Sequence, residues 1–162
     1  MRYHQYQYKF YLNASHSIYI DNKKGQNHPH TWEIVLDTIK VVDGFVQFND
    51  VEKSIERFLG SYQDKCINEI QPFNVTNPTL ENICDYFKDT ILQILAEMGW
   101  LLLRIEISET PARAYIIDLV DDSEENIREI EANYRKRVDD VYHESKNADE
   151  VASELLDRIA EK

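Results

Sequence analysis

Residues 26–37, "QNHPHTWEIVLD", decide how this chain is read. From His28 onward the stretch alternates. His28, His30, Trp32, Ile34 and Leu36 occupy every second position, the period of a strand with one buried face. Successive side chains of a strand point to opposite faces, so both imidazoles share the inward face with the apolar series. An imidazole pair placed there needs a partner. The preceding segment offers one, because His4, Tyr6, Tyr8, Phe10, Leu12, Ala14 and His16 form a second alternating line. It covers residues 4–16 and ends on a third inward histidine. Between the two lines lies "DNKKGQN", a loop by composition. An antiparallel hairpin sets the end of the first strand beside the start of the second, so that His16 faces His28 and His30.

Downstream, "VDGFVQF" turns the chain into a predicted helix over 50–62. Asn49 and Glu52 read as its capping box, and Val51, Ile55, Phe58, Leu59 and Tyr62 as its apolar stripe. After Pro72 and Pro78, Thr79 caps a second helix with Leu80, Ile83, Phe87, Ile91, Ile94, Leu95 and Met98 at helical spacing, stopping near Gly99. A third strand over 101–109 is expected to bury Leu101, Leu103, Ile105 and Ile107 on one line that ends on Glu109. A fourth strand, 112–119, completes the order: two strands, two helices, two strands. This is an α+β domain over 1–119, an antiparallel sheet with its helices on one face. Residues 120–162 form an acidic helical extension. Ile127, Ile130, Tyr134, Val138, Val141 and Ser145 supply its stripe, and Asn147 with Glu150 reads as a capping box opening a last short helix.

Composition narrows the class. The 162 residues are 43% hydrophobic, enough for a core, and carry a net charge of −12. From Asp118 onward the chain holds 15 of the 30 acids and 7 of the 18 bases, so the acidity belongs mainly to the tail. No basic stripe marks a nucleic-acid footprint. No apolar run approaches the roughly 20 residues of a membrane helix, and "MRYHQYQYKFYLN" lacks the apolar centre of a signal peptide. Two cysteines, Cys66 and Cys84, are too few for a disulfide framework, which leaves a reducing cytoplasm as the default.

Three neutral imidazoles converging from adjacent strands are a nitrogen set for zinc, with the fourth position open as in catalytic rather than structural sites. The competing reading leaves them as strand-end and loop histidines. Glu109, at the end of an apolar line, needs pairing, because an unpaired buried charge is costly. A heterocycle with two parallel N–H donors, such as guanine or pterin, satisfies it; reaching water is the alternative. Lys23, Lys24 and Gly25 suit a triphosphate or are simply a solvated loop.

The blocks "FYLNASH", "HPHTWEIVLD", "GFVQFNDVEKSI", "NPTLENICDYF" and "RIEISETPARAY" resemble, in order and over about residues 8–117, the 6-pyruvoyl tetrahydropterin synthase and 6-carboxytetrahydropterin synthase family. The resemblance implies the tunnelling fold, in which subunits join their sheets into a barrel, commonly as a hexamer of two trimers. It implies His16, His28 and His30 as zinc ligands and Glu109 as the anchor of the pterin ring, with Thr110 beside it. Thr79 and Glu81 fall in the block near the family's ligand site. It further implies a lyase acting on 7,8-dihydroneopterin triphosphate, in which zinc binds the side-chain hydroxyls and a cysteine, helped by an Asp-His pair, moves protons. This chain departs from the pattern at the base. Lys24 and Asn22 stand where the family cysteine does, and the Leu-Asp-His block aligns with Tyr62, Gln63 and Asp64. Gln47 and Pro29 replace a usual Asp and Gly. Three readings follow: a related zinc lyase using Lys24, Asp64 or Cys66 as base, a non-catalytic pterin- or purine-binding module, or a relic that binds nothing.

Overall fold

The computed structural model describes residues 4–42, 44–120, 132 and 135–150. Strand β1 (Tyr6–His16) pairs antiparallel with β4 (His28–Lys40) in the register His16↔His28, Ala14↔His30, Leu12↔Trp32. The alternation seen in sequence is therefore the pleat of one hairpin, with Tyr8, Phe10, Leu12 and Ala14 buried and their neighbours exposed. The intervening segment is more ordered than its composition suggests. It folds as a small hairpin, β2 (Tyr19–Ile20) and β3 (Lys23–Lys24), turned by Asp21 and Asn22 at φ 49° and 62°. Asp and Asn tolerate this left-handed backbone, which is what a tight two-residue turn demands.

Helix α1 (Phe48–Leu59) follows, starting two residues earlier and ending three residues earlier than the sequence pattern indicates. The Asn49–Glu52 capping box is not formed: Gln47 is the N-cap, without a side-chain bond. The hydrophobic stripe outweighs the local cap signal, since burial of Val51, Ile55 and Leu59 sets where the helix lies. A two-residue strand β5 (Lys65–Cys66) adds to the free edge of β1, the one parallel pairing in the five-stranded sheet. Helix α2 (Leu80–Glu97) starts as expected, the Thr79 hydroxyl accepting from the Asn82 amide at 3.3 Å.

Strands β6 (Trp100–Thr110) and β7 (Arg113–Asp118) complete the sheet order β5-β1-β4-β6-β7. The expected single buried line over Leu101, Leu103, Ile105 and Ile107 is corrected by the register. Arg104 pairs with Asp37 but Leu102 pairs with Thr38, so Leu103 is the extra residue of a β-bulge. A bulge reverses the inward and outward alternation along the bulged strand. Ile105 and Ile107 pack with Leu102 and Trp100 against α1 and α2, whereas Leu101 and Leu103 face a second, smaller cluster on the other side. What covers them is helix α3 (residues 135–150), through Val138, 3% exposed, with Val141 beside it. The tail helix continues through Asn147 and Glu150, so no new helix opens there. The domain boundary expected at 119/120 adjoins an undescribed stretch, and Ile127, Ile130, Tyr134 and residues 151–162 also lie outside the described residues.

Gly99 joins α2 to β6 at φ +77°, where a Cβ would meet the Val42 side chain at 2.7 Å. Gly99→Ala is expected to cost about 1–3 kcal/mol, from the left-handed backbone and the collision together. Urea denaturation of the variant measures the loss, and an unchanged midpoint contradicts it.

Candidate functional site

The register of β1 and β4 places three histidine rings around one point. Ring centroids lie 4.7 Å (His16–His28), 5.2 Å (His16–His30) and 4.8 Å (His28–His30) apart. One ligand atom from each falls within 4.8 Å of the other two, the convergence of metal-type side chains found among the described residues. Trp32 forms the floor, edge-on to His16 and His30 at 4.9 and 5.4 Å, with its indole N–H donating to the Ala14 carbonyl at 3.1 Å.

The strand exit after His16 is held by asparagines that no sequence pattern singles out. Asn68 bonds both main-chain groups of Ser17 at 2.8 Å, and Asn77 does the same for Tyr19 at 2.9 Å. These paired amides act as a substitute strand. They bring the Pro78 carbonyl, at the mouth of α2, to 2.8 Å from His16 Nδ1. That nitrogen must donate to the carbonyl, which leaves His16 Nε2 with a lone pair. His28 Nδ1 lies 2.9 Å from the Gln26 carbonyl and is oriented in the same way. Main-chain acceptors of this kind fix the tautomer of metal-binding imidazoles.

Burial lowers the pKa of His16 below its ordinary 6.5; His28 and His30 add to the effect, and the Pro78 bond and Glu109 oppose it. His30 is lowered by burial first, against the pull of Glu109. Both rings are therefore neutral near pH 7, so the 3.6 Å approach of Glu109 Oε2 to His16 Nε2 joins two acceptors rather than an ion pair. Among the described residues, neither Nε2 of His16 nor Nε2 of His30 has a hydrogen-bond partner, although both are buried. A divalent cation satisfies all of these groups at once. The donor set, three imidazoles with a carboxylate alongside, suits zinc.

Glu109 owes its aim to a second bulge. Ser108 pairs with Ala114 and Thr110 with Arg113, so Glu109 is the unpaired residue at the end of β6. Bulges recur where a side chain must be re-aimed. A cleft of about 480 Å³ is lined by His16, His28, Thr79, Glu81, Glu109 and Arg113, bringing together one wall from the sheet and one from the start of α2. Thr110 faces the adjacent groove with Tyr11 and Ser108 instead. Arg113 was not legible as a site residue, although its position four residues after Glu109 across a two-residue turn was the available signal. Its Nε and Nη2 both donate to Glu109 Oε1, at 3.0 and 2.5 Å.

The three expected bases lie elsewhere in the chain. Cys66 pairs with Ser15, on the sheet face opposite His16, and its thiol is near Asn27 and Asn68. Lys24 and Cys66 line a separate cleft with Asn68 and Asn77. Asp64, exposed and at φ 59°, is tied to the Asn13 carbonyl through its amide at 2.7 Å. None of the three lines the histidine cleft within one chain.

The 6-pyruvoyl tetrahydropterin synthase family model matches residues 5–119. The chain belongs to that family. Among solved structures, the Caenorhabditis elegans 6-pyruvoyl tetrahydropterin synthase is similar at TM-score 0.59 and 14% identity, covering 70% of this chain and 94% of that one. The Plasmodium falciparum enzyme is similar at 0.52 and 14%, covering 70% and 96%. A Plasmodium vivax enzyme in which a glutamate, named as a catalytic residue, is replaced by alanine is similar at 0.52 and 11%, covering 70% and 97%. At these identities the likeness is one of fold. No curated protein matches the chain in sequence.

Stability of the metal-free site depends on pH in a defined direction. With folded pKa values below 6.5, the unfolded chain binds more protons than the folded one between those values and 6.5. Stability is complete above that window and falls as the pH drops through it. Thermal melts of chelator-treated protein should shift downward from pH 7 to pH 5, less so in His16→Asn, and a flat profile contradicts neutral rings.

Proposed function

We propose that the chain is a zinc-dependent lyase of the 6-pyruvoyl or 6-carboxytetrahydropterin synthase type, acting on a dihydroneopterin triphosphate-like pterin with a base other than the family cysteine. The observation that carries this reading is the convergence of three histidines, two of which, His16 and His28, line one cleft with the part-buried Glu109 and the start of α2. His16, His28 and His30 would hold the metal. Bound zinc supplies Lewis-acid polarisation of substrate oxygens. Glu109 offers a carboxylate whose side chain is 10% exposed, suited to two adjacent N–H donors of a heterocycle. The Thr79 hydroxyl accepts from Asn82, which leaves its own proton to donate into the cleft beside Glu81. Thr110, one residue on, would contribute from the adjacent groove, which Glu109 also lines.

The proton-transfer group is proposed among Lys24, Asp64 and Cys66. A carboxylate in such a role accords with the Plasmodium vivax enzyme, in which a glutamate is described as a catalytic residue. Asp64 and Cys66 flank the sheet edge at β5, and the cleft opens along β7 at the other edge. Exposed edges are templates for pairing. A homo-oligomer of the kind the resemblance implies, a hexamer of two trimers, would bring one copy's β5 edge beside the next copy's cleft and supply the base in trans. The unpaired thiols of Cys66 and Cys84 accord with a reducing, cytoplasmic setting.

The second reading, a pterin- or purine-binding module without turnover, is favoured by the absence of those three groups from the cleft of a single chain. Incubation of zinc-loaded protein with dihydroneopterin triphosphate separates the two. Triphosphate release that falls more than roughly a hundredfold in His28→Ala supports the lyase. In Glu109→Gln, ring affinity should drop by about ten- to a hundredfold, measured by calorimetry. Tight binding without release selects the module, and neither binding nor release rejects both.

A further inference from the structure

One oxygen of the Glu109 carboxylate is already occupied. Arg113 donates from Nε and Nη2 to Glu109 Oε1 at 3.0 and 2.5 Å, within the chain's own β6–β7 hairpin. The two partners differ sharply in freedom, the Glu109 side chain being 10% exposed and that of Arg113 69%. The acid is held at its bulge, whereas the guanidinium stands at the mouth of the cleft and can leave for water at little cost. Arg113 also sits directly after the two-residue turn Pro111–Ala112, so its backbone need not move for the side chain to swing away.

The chemistry of the occupant is the decisive point. A guanidinium edge offers adjacent, parallel N–H donors. The edge of a 2-aminopteridine or guanine ring, its ring N–H and exocyclic amine, is a cyclic version of the same group. A ring that sets its two donors on the two carboxylate oxygens needs Oε1, the oxygen Arg113 holds. We propose that Arg113 is an internal competitor for Glu109, a latch that stands in for the ligand's donor edge and yields only to a ring carrying that edge. The proposal rests on the reading that Glu109 anchors the heterocycle.

Two consequences follow. Apparent affinity is reduced by the fraction of molecules in which Arg113 is latched. Selectivity is raised, because a ring with an oxo group in place of the amine cannot offer the paired donors that displace the arginine, and releasing it would then leave Glu109 half-satisfied.

Calorimetric titrations of neopterin and of its 2-oxo counterpart with the same side chain, into the native protein and Arg113→Ala, test this. The arginine is mostly exposed, so the variant is expected to fold, and a melting curve checks it. Removing the latch should tighten neopterin binding roughly three- to tenfold while leaving the 2-oxo ring unchanged. Unchanged or weaker neopterin binding overturns the latch, as does an equal gain for both rings, which marks a general charge effect. The parent reading is tested in the same experiment by the native protein alone. If it shows no preference for neopterin over the 2-oxo ring, Glu109 is not the anchor and the latch falls with it.

Discussion

The pairing of β1 with β4 is the constraint on which the rest of the structure depends. The register sets Leu12 opposite Trp32 in the core and His16 opposite His28 at its edge. Because side chains alternate with a period of two, a slip of one residue would carry every core side chain and every histidine to the solvent face. The energy of the hydrophobic face therefore enforces the geometry of the polar site. The histidines need no local device to bring them together; they are the last members of two lines held in place by Tyr8, Phe10, Ile34 and Leu36.

Two bulges in β6 do complementary work on that frame. The one at Leu103 switches faces, so that a run of three leucines fills the main core and also the cluster beneath α3. The one at Glu109 lifts a carboxylate out of the ladder and aims it at the histidines. The second wall of the cleft comes from a loop stapled by Asn68 and Asn77 to the strand exit, which delivers the Pro78 carbonyl to His16 and Thr79 to the head of α2. Sheet and helix thus meet at one point, with desolvation keeping His16 and His30 neutral and able to ligate.

What could be seen in the sequence follows the strength of the periodic signal. The β1–β4 hairpin, the helix at Thr79 and the facing of His16 with His28 were legible because long alternating or helical patterns fix faces as well as elements. Short polar signals were less reliable. Asn49–Glu52 and Asn147–Glu150 have the spacing of capping boxes, yet neither caps a helix, because packing of the apolar stripes decides where α1 and α3 run. The bulges were invisible, since an inserted residue changes parity without changing composition, and with them went the true facing of Leu101 and Leu103. Arg113 carries no periodic signal, and only the two-residue turn between β6 and β7 brings it back onto Glu109. Lys24, Asp64 and Cys66 came from matching blocks, which carries no information about sheet faces, and Cys66 points away from the histidines.

The central claim is that imidazoles from β1 and β4 share one metal ion. Zinc-edge X-ray absorption on protein purified without added metal tests it most directly. The account predicts close to one zinc per chain, with three imidazole nitrogens at about 2.0–2.1 Å and the remaining coordination from oxygen. Metal-free protein that also fails to take up zinc, or a first shell containing sulfur, would contradict it.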